Sequence, residues 1–169
     1  MDIATVNGMD RAAFVAAFGG VFEHSPWVAE RAYDRRPFAS PADLHTVMVA
    51  AVRTAPHEKQ TALLLAHPDL AGKEARAGTM TSSSVAEQAS AALDRLTPAE
   101  MARIAELNRD YRARHGFPFI VAVRHYTKAG IFHEFERRIA NDTQSEHDWS
   151  LSQVFAITRM RLDARFAGP

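Results

Sequence analysis

Proline-marked helix starts constrain this chain more than any other pattern in it. Ser25-Pro26 and Ser40-Pro41 each place a hydroxyl at an N-cap with proline at the first helical position, where its missing N–H costs nothing. Pro56 opens another helix. Thr97-Pro98-Ala99-Glu100 joins the same proline placement to a capping box, and Thr143-Gln144-Ser145-Glu146 reads as a second capping box. Asp10 caps a shorter helix with Ala13, Phe14, Ala17 and Phe18 on its apolar face, ended by Gly19 and Gly20. Between these starts apolar residues recur at helical spacing, as in Leu44, Val47, Met48 and Ala51, or Ile104, Leu107 and Tyr111.

One run has strand composition, Phe119–Val123 within F-P-F-I-V-A-V. It has no obvious partner strand, so an extended buried segment is the favoured reading. The helix after it, over about 128–140, carries Ile131, Phe132, Phe135 and Ile139. The last helix runs to about Phe166, with Trp149, Val154, Ile157 and Leu162 as candidate buried positions. The expected class is all-α: a single compact domain over residues 1–169, of about eight helices with one extended buried segment.

The stretch Ala66–Leu96 gathers the chemistry-bearing residues. The helix over 57–66, with Leu63, Leu64 and Leu65 near its end, should stop before Pro68, which pushes His67 out of the helical region. Asp69 and the Gly72 turn follow. A new helix, capped by Ser83 or Ser84, carries Ser84, Glu87 and Gln88 in its first turn.

Composition removes several classes. The chain has 20 basic and 20 acidic side chains and no cysteine. Zero net charge argues against a general nucleic-acid or anionic-membrane surface. Without cysteine there is no thiol catalysis, thiolate zinc site or disulfide. No apolar run approaches the ~18–20 residues of a membrane span. The opening residues lack a basic start with a long apolar run, so no secretory signal is expected, and the A-G-P end is not a peroxisomal address. A reducing cytoplasm is the default compartment.

Eight histidines invite a metal reading. Neither His57-Glu58 nor His133-Glu134 continues to the second histidine of H-E-x-x-H, so no metal is expected. His67 at a helix C-terminus is favoured by the dipole alone, or it is a general acid–base near neutral pH. Glu87 is either the far end of a Ser84-x-x-Glu87 capping box or a site carboxylate. Arg161 shares a helix face with Val154, Ile157 and Thr158, so it is either a surface charge or a guanidinium turned inward to hold an anion.

Longer matches narrow these alternatives. F-G-G-V-F-E-H-S-P-W-V-A-E-R-A, A-H-P-D-L-A-G-K, S-x-x-E-Q, L-N-x-x-Y-x-x-x-x-G-F-P-F-I-V-A-V and a late R-L together resemble the OHCU decarboxylase family, over nearly the whole chain. OHCU is 2-oxo-4-hydroxy-4-carboxy-5-ureidoimidazoline. The resemblance implies an all-helical fold, a homodimer, no cofactor, and conversion of OHCU to S-allantoin as the last step from urate. It places the catalytic pair on His67 and Glu87. It places substrate contacts on Pro68, Ser84, Gln88, Arg161 and the segment Phe119, Ile120 and Val121. The alternative is a helical module that binds a ureide without turning it over.

Overall fold

The computed structural model describes residues 1–167; the last two residues of the A-G-P end lie outside them. Among the described residues there are ten α-helices, one short 3-10 helix and no strand. The all-α expectation holds. The two helices beyond the expected eight are short: α1 (Ile3–Asn7) and α6 (Lys73–Ala77). No described helix is long and apolar enough to cross a membrane. The chain groups into two compact units, residues 1–66 with 155 onward, and 67–154.

The first unit holds α1, α2 (Arg11–Phe18), α3 (Trp27–Tyr33), α4 (Pro41–Arg53), α5 (His57–Leu65) and the end of α10 (Thr143–Phe166). Its starts are largely those marked in the sequence. Asp10 accepts from Ala13 N–H at 2.8 Å, and Ser40 accepts from Asp43 N–H at 3.1 Å with Pro41 behind it. At α3 the hydroxyl of Ser25 makes no cap bond; its carbonyl instead accepts the first-turn bond from Val28 N–H. Phe14, Phe18, Phe22, Leu44, Met48 and Leu64 are fully buried. Each contributes about 1.5–3 kcal/mol by leaving water. Leu65, on the opposite side of α5, is exposed.

The second unit holds α6, α7 (Ser82–Ser90), α8 (Pro98–His115), the 3-10 turn Val123–His125, α9 (Lys128–Ile139) and the first part of α10. The Thr97–Glu100 capping box closes as expected, with Thr97 N–H donating to Glu100 at 2.8 Å. Gly116, at φ 82°, ends α8 in the left-handed region open to glycine. Phe119–Val121 runs outside any helix without a strand partner, as expected, and leads through Ala122 into the 3-10 turn.

Three expectations fail here. The cap of α7 is Thr81, whose hydroxyl accepts from Ser84 N–H at 3.3 Å, rather than Ser83 or Ser84. The helix ends at Ser90, and the chain turns through Ala92 at φ 56°. At α10, Asp142 does the capping, accepting from the Ser145 N–H at 2.9 Å and from its hydroxyl. Glu146 is thereby released from a capping box and is buried against Arg138 at 2.9 Å. Trp149 is also not a core residue: it is 45% exposed, with the Arg137 guanidinium over its ring.

Candidate functional site

His67 follows directly on α5, where the proline at 68 stops helical continuation. The loop it opens, His67–Gly72, is tied from three side chains on two helices. Gln88 of α7 accepts from Ala71 N–H at 2.9 Å and donates to Asp69 carbonyl at 3.4 Å. Asn108 of α8 donates to Leu70 carbonyl at 2.9 Å. Arg112, one turn further along α8, donates to the Asp69 carboxylate at 2.8 Å. Asp69 is thus part of the loop's anchor.

Those ties hold a conformation the sequence alone would not choose. Ala71 sits at φ 45°, the left-handed region that a Cβ disfavours by roughly 1–2 kcal/mol. Gly72 comes so close to Asp69 that a Cβ there would lie 2.6 Å from the Asp69 Cβ. Only glycine fits that turn without moving the loop.

Most of the expected residues lie in the second unit, on elements distant in sequence. His67, Ser84, Glu87 and Gln88 are polar yet at most 9% exposed. Phe119, Ile120 and Val121 are buried in the extended segment, and α7 packs against the 3-10 turn that follows it. Pro68 is half-buried. Ser84 receives a hydrogen bond from the Thr81 hydroxyl at 3.2 Å. A groove of about 430 Å³ lies in the same unit and is mostly apolar, with Ala71, Met80, Val85, Leu93 and Met101 among its lining residues. Gln88 reaches it; His67, Ser84 and Glu87 do not line it.

Arg161 belongs to the first unit. Its side chain is 7% exposed and its Nη1 lies 2.6 Å from Glu23 Oε2, with Val21 carbonyl at 3.4 Å. Arg161 is therefore a buried charge rather than a surface one, with the Glu23 carboxylate beside it. Its partner, Glu23, is 1% exposed at its side chain and carries no sequence expectation. The signal was present in F-E-H-S-P-W: a carboxylate between aromatic and capping residues. Asn108 and Arg112 were missed as loop anchors for a related reason, since they read as ordinary positions of a long helix.

Beneath the extended segment, Arg138 and Glu146 form a fully buried pair. Burial pushes the Glu146 carboxyl up, but hydrogen bonds from Arg138 and Tyr111 outweigh it and hold the group below the usual carboxylate range. Burial, and then the bond to Glu146, push the Tyr111 hydroxyl up. His115, buried beside Thr143, is pushed below its usual value by desolvation.

The fold and these side chains define an all-helical protein with an enclosed, hydrogen-bonded group of ionisable residues. Residues 7–163 match the family model for OHCU decarboxylase, and the chain belongs to that family. It is 43% identical to the 2-oxo-4-hydroxy-4-carboxy-5-ureidoimidazoline decarboxylase of Haloferax volcanii, over 99% of this chain and 97% of that one. The Mus musculus protein of the same name is 37% identical, over 96% of this chain and 91% of its own length. A crystal structure of (S)-allantoin synthase superposes with a TM-score of 0.79 at 29% identity, covering 98% of this chain. This chain spans 54% of that one.

Proposed function

We propose that this protein decarboxylates 2-oxo-4-hydroxy-4-carboxy-5-ureidoimidazoline to S-allantoin and carbon dioxide, a carboxy-lyase step that completes urate oxidation. The observation that carries the reading is the burial of His67, Ser84, Glu87 and Gln88 in one unit, on a loop and a helix start that the structure ties together. Buried polar groups cost stability unless they are hydrogen-bonded, so four of them in one unit need a built polar network.

The substrate carries its own electron sink. Breaking the ring-carbon–carboxylate bond releases carbon dioxide, and the electron pair moves into the adjacent C=N, whose nitrogen takes up a proton. The hydroxyl-bearing carbon becomes a carbonyl as its hydroxyl proton leaves, and a proton is added at the ureido-bearing carbon. Which face receives that proton sets the enantiomer. The chain must orient the leaving carboxylate, stabilise the developing charge and direct one proton.

In this reading His67 moves the proton and Glu87 orients or polarises it. Ser84 hydrogen-bonds the ring or ureido group, Pro68 and Phe119–Val121 form the wall, and Arg161 holds negative charge. The Gln88 amide already serves Ala71 and Asp69, so its first contribution is the shape of the His67 loop. We also propose a homodimer, with α3 as its interface helix, and a cytoplasmic location. On α3, Trp27 is half-buried between Arg31 and Lys59.

The test generates OHCU freshly from urate with urate oxidase and hydroxyisourate hydrolase, and follows the circular dichroism of the allantoin formed. The protein should accelerate the last step and give the S enantiomer. His67→Asn and Glu87→Ala should fold normally and each lose at least about a hundredfold in rate. Saturable ureide binding without any rate effect would instead identify a binding module. Normal turnover in both variants would remove the assignment of the catalytic pair.

A further inference from the structure

Arg138 is the largest fully buried side chain among the described residues, and nothing in the decarboxylation chemistry above uses it. Its Nε lies 3.0 Å from Glu146 Oε2, its Nη2 donates to Ser150 Oγ at 3.2 Å, and its Nη1 donates to Ile120 carbonyl at 2.8 Å. Glu146 also accepts from the Tyr111 hydroxyl and from Asn141 at 2.7 Å. The guanidinium lies 4.5 Å from the centre of the Phe119 ring, which stacks on Phe135 at 3.9 Å. Two residues beyond Ile120, Ala122 N–H donates to Gln153 at 3.0 Å. The extended segment is therefore held at the Phe119 ring, the Ile120 carbonyl and the Ala122 amide.

A buried ion pair is a poor device for stability alone, because desolvating both charges offsets much of their attraction. What it supplies that an apolar core cannot is direction. The peptide joining Ile120 to Val121 is planar, so fixing the carbonyl toward Arg138 turns the Val121 N–H the opposite way. Among the described residues that N–H, on a residue 3% exposed, has no hydrogen-bond partner. A buried, unpartnered backbone donor is rare and calls for an acceptor.

We propose that Arg138 is a positioning residue for the decarboxylation: by holding the Ile120 carbonyl, it aims the Val121 N–H and the Phe119–Val121 backbone at the substrate. This rests on the decarboxylase reading above. The substrate group that fits is a carbonyl or carboxylate oxygen, whose negative charge grows as the ring takes up electrons.

The test compares wild type with Arg138→Lys and with the double variant Arg138→Met/Glu146→Leu. Lysine keeps a cation beside Glu146 but lacks the fork that holds both acceptors at once. The double variant removes both charges, so neither is left unpaired in the core. The readouts are kcat and KM, the enantiomeric excess of the allantoin formed, and the amide resonance of Val121. In both variants kcat should fall at least about tenfold with KM within about threefold, the enantiomeric excess should drop and the resonance should move. Wild-type kcat and enantiomeric excess in the folded variants overturn the proposal, as do an unmoved Val121 resonance or a loss confined to KM. If the double variant does not fold, Arg138→Lys decides on the same readouts. If the wild-type chain does not accelerate the reaction, the decarboxylase reading fails, while the Val121 resonance still decides whether Arg138 orients the segment.

Discussion

Replacing Glu23 by alanine should be the most damaging single change of a residue that carries no assigned chemistry. Glu23 and Arg161 are 1% and 7% exposed at their side chains and meet at 2.6 Å. Their attraction is thus not screened by water as it would be at the surface. Removing the carboxylate takes the acceptor at 2.6 Å away from a buried guanidinium and leaves the Val21 carbonyl 3.4 Å from it. Breaking a buried pair in this way costs about 3–5 kcal/mol. That is a large share of the roughly 5–15 kcal/mol that holds a domain folded. Glu23→Gln keeps the volume and a carbonyl acceptor but loses the charge, so it should cost only about 1–2 kcal/mol. The double variant Glu23→Ala/Arg161→Ala should cost well under the sum of the two single changes, because neither charge is then left alone. Urea unfolding followed by far-UV circular dichroism measures all four proteins. A Glu23→Ala loss below about 1 kcal/mol, or strict additivity, would refute the reasoning.

Ala71→Gly should stabilise the protein by a few tenths to about 1 kcal/mol, since glycine relieves the positive φ without touching the Gln88 bond; a lower urea midpoint would contradict this. Gln88→Leu should cost about 1–3 kcal/mol, by removing the side-chain acceptor 2.9 Å from Ala71 N–H, and should lower turnover by loosening the His67 loop. Acid should act in two stages. Burial holds His115 below its ordinary 6.5, so the unfolded chain binds that proton first and stability falls as pH drops below about 6.5. Glu146, held below its ordinary 4.5, adds a second loss below about 4.5 as its pair with Arg138 is protonated. A His115→Gln variant should flatten only the upper stage of the urea-midpoint profile, and an unchanged profile would remove His115 as its source.

Much of the fold was legible because helix starts are local events. Pro41, Pro98 and Thr97 act on the turn they begin, and the structure keeps all three where the sequence places them. The absence of a partner for Phe119–Val123 was equally readable, since a strand must pair. The failures share one cause. Glu146 has the spacing of a capping box, and only the tertiary arrangement reveals that Arg138 takes it into the core. Thr81 wins the cap from its serine neighbours by where the preceding turn delivers it. Trp149 lies at a helical spacing that suits the core but on a face that reaches water.

The site divides in the same way. His67, Ser84 and Glu87 stand out through composition and neighbours, and the inward turn of Arg161 follows from its apolar helix face. Glu23 does not stand out, because its partner is Arg161, far along the chain. Asn108 and Arg112 stay hidden in a helix whose outer positions are mostly polar, and their purpose appears only when the 67–72 loop lies across them.

The Gln88–Ala71 bond also gives the His67 loop a clock. Ala71 lies in no helix, yet its amide hydrogen is held by a side chain. It can exchange with deuterium only when Gln88 lets go. Helical amides nearby report the opening of their helices, whereas this one reports a single loop's release. Its exchange rate therefore counts how often the segment carrying His67 leaves its seat. A substrate or product that steadies that segment should slow Ala71 before any other loop amide.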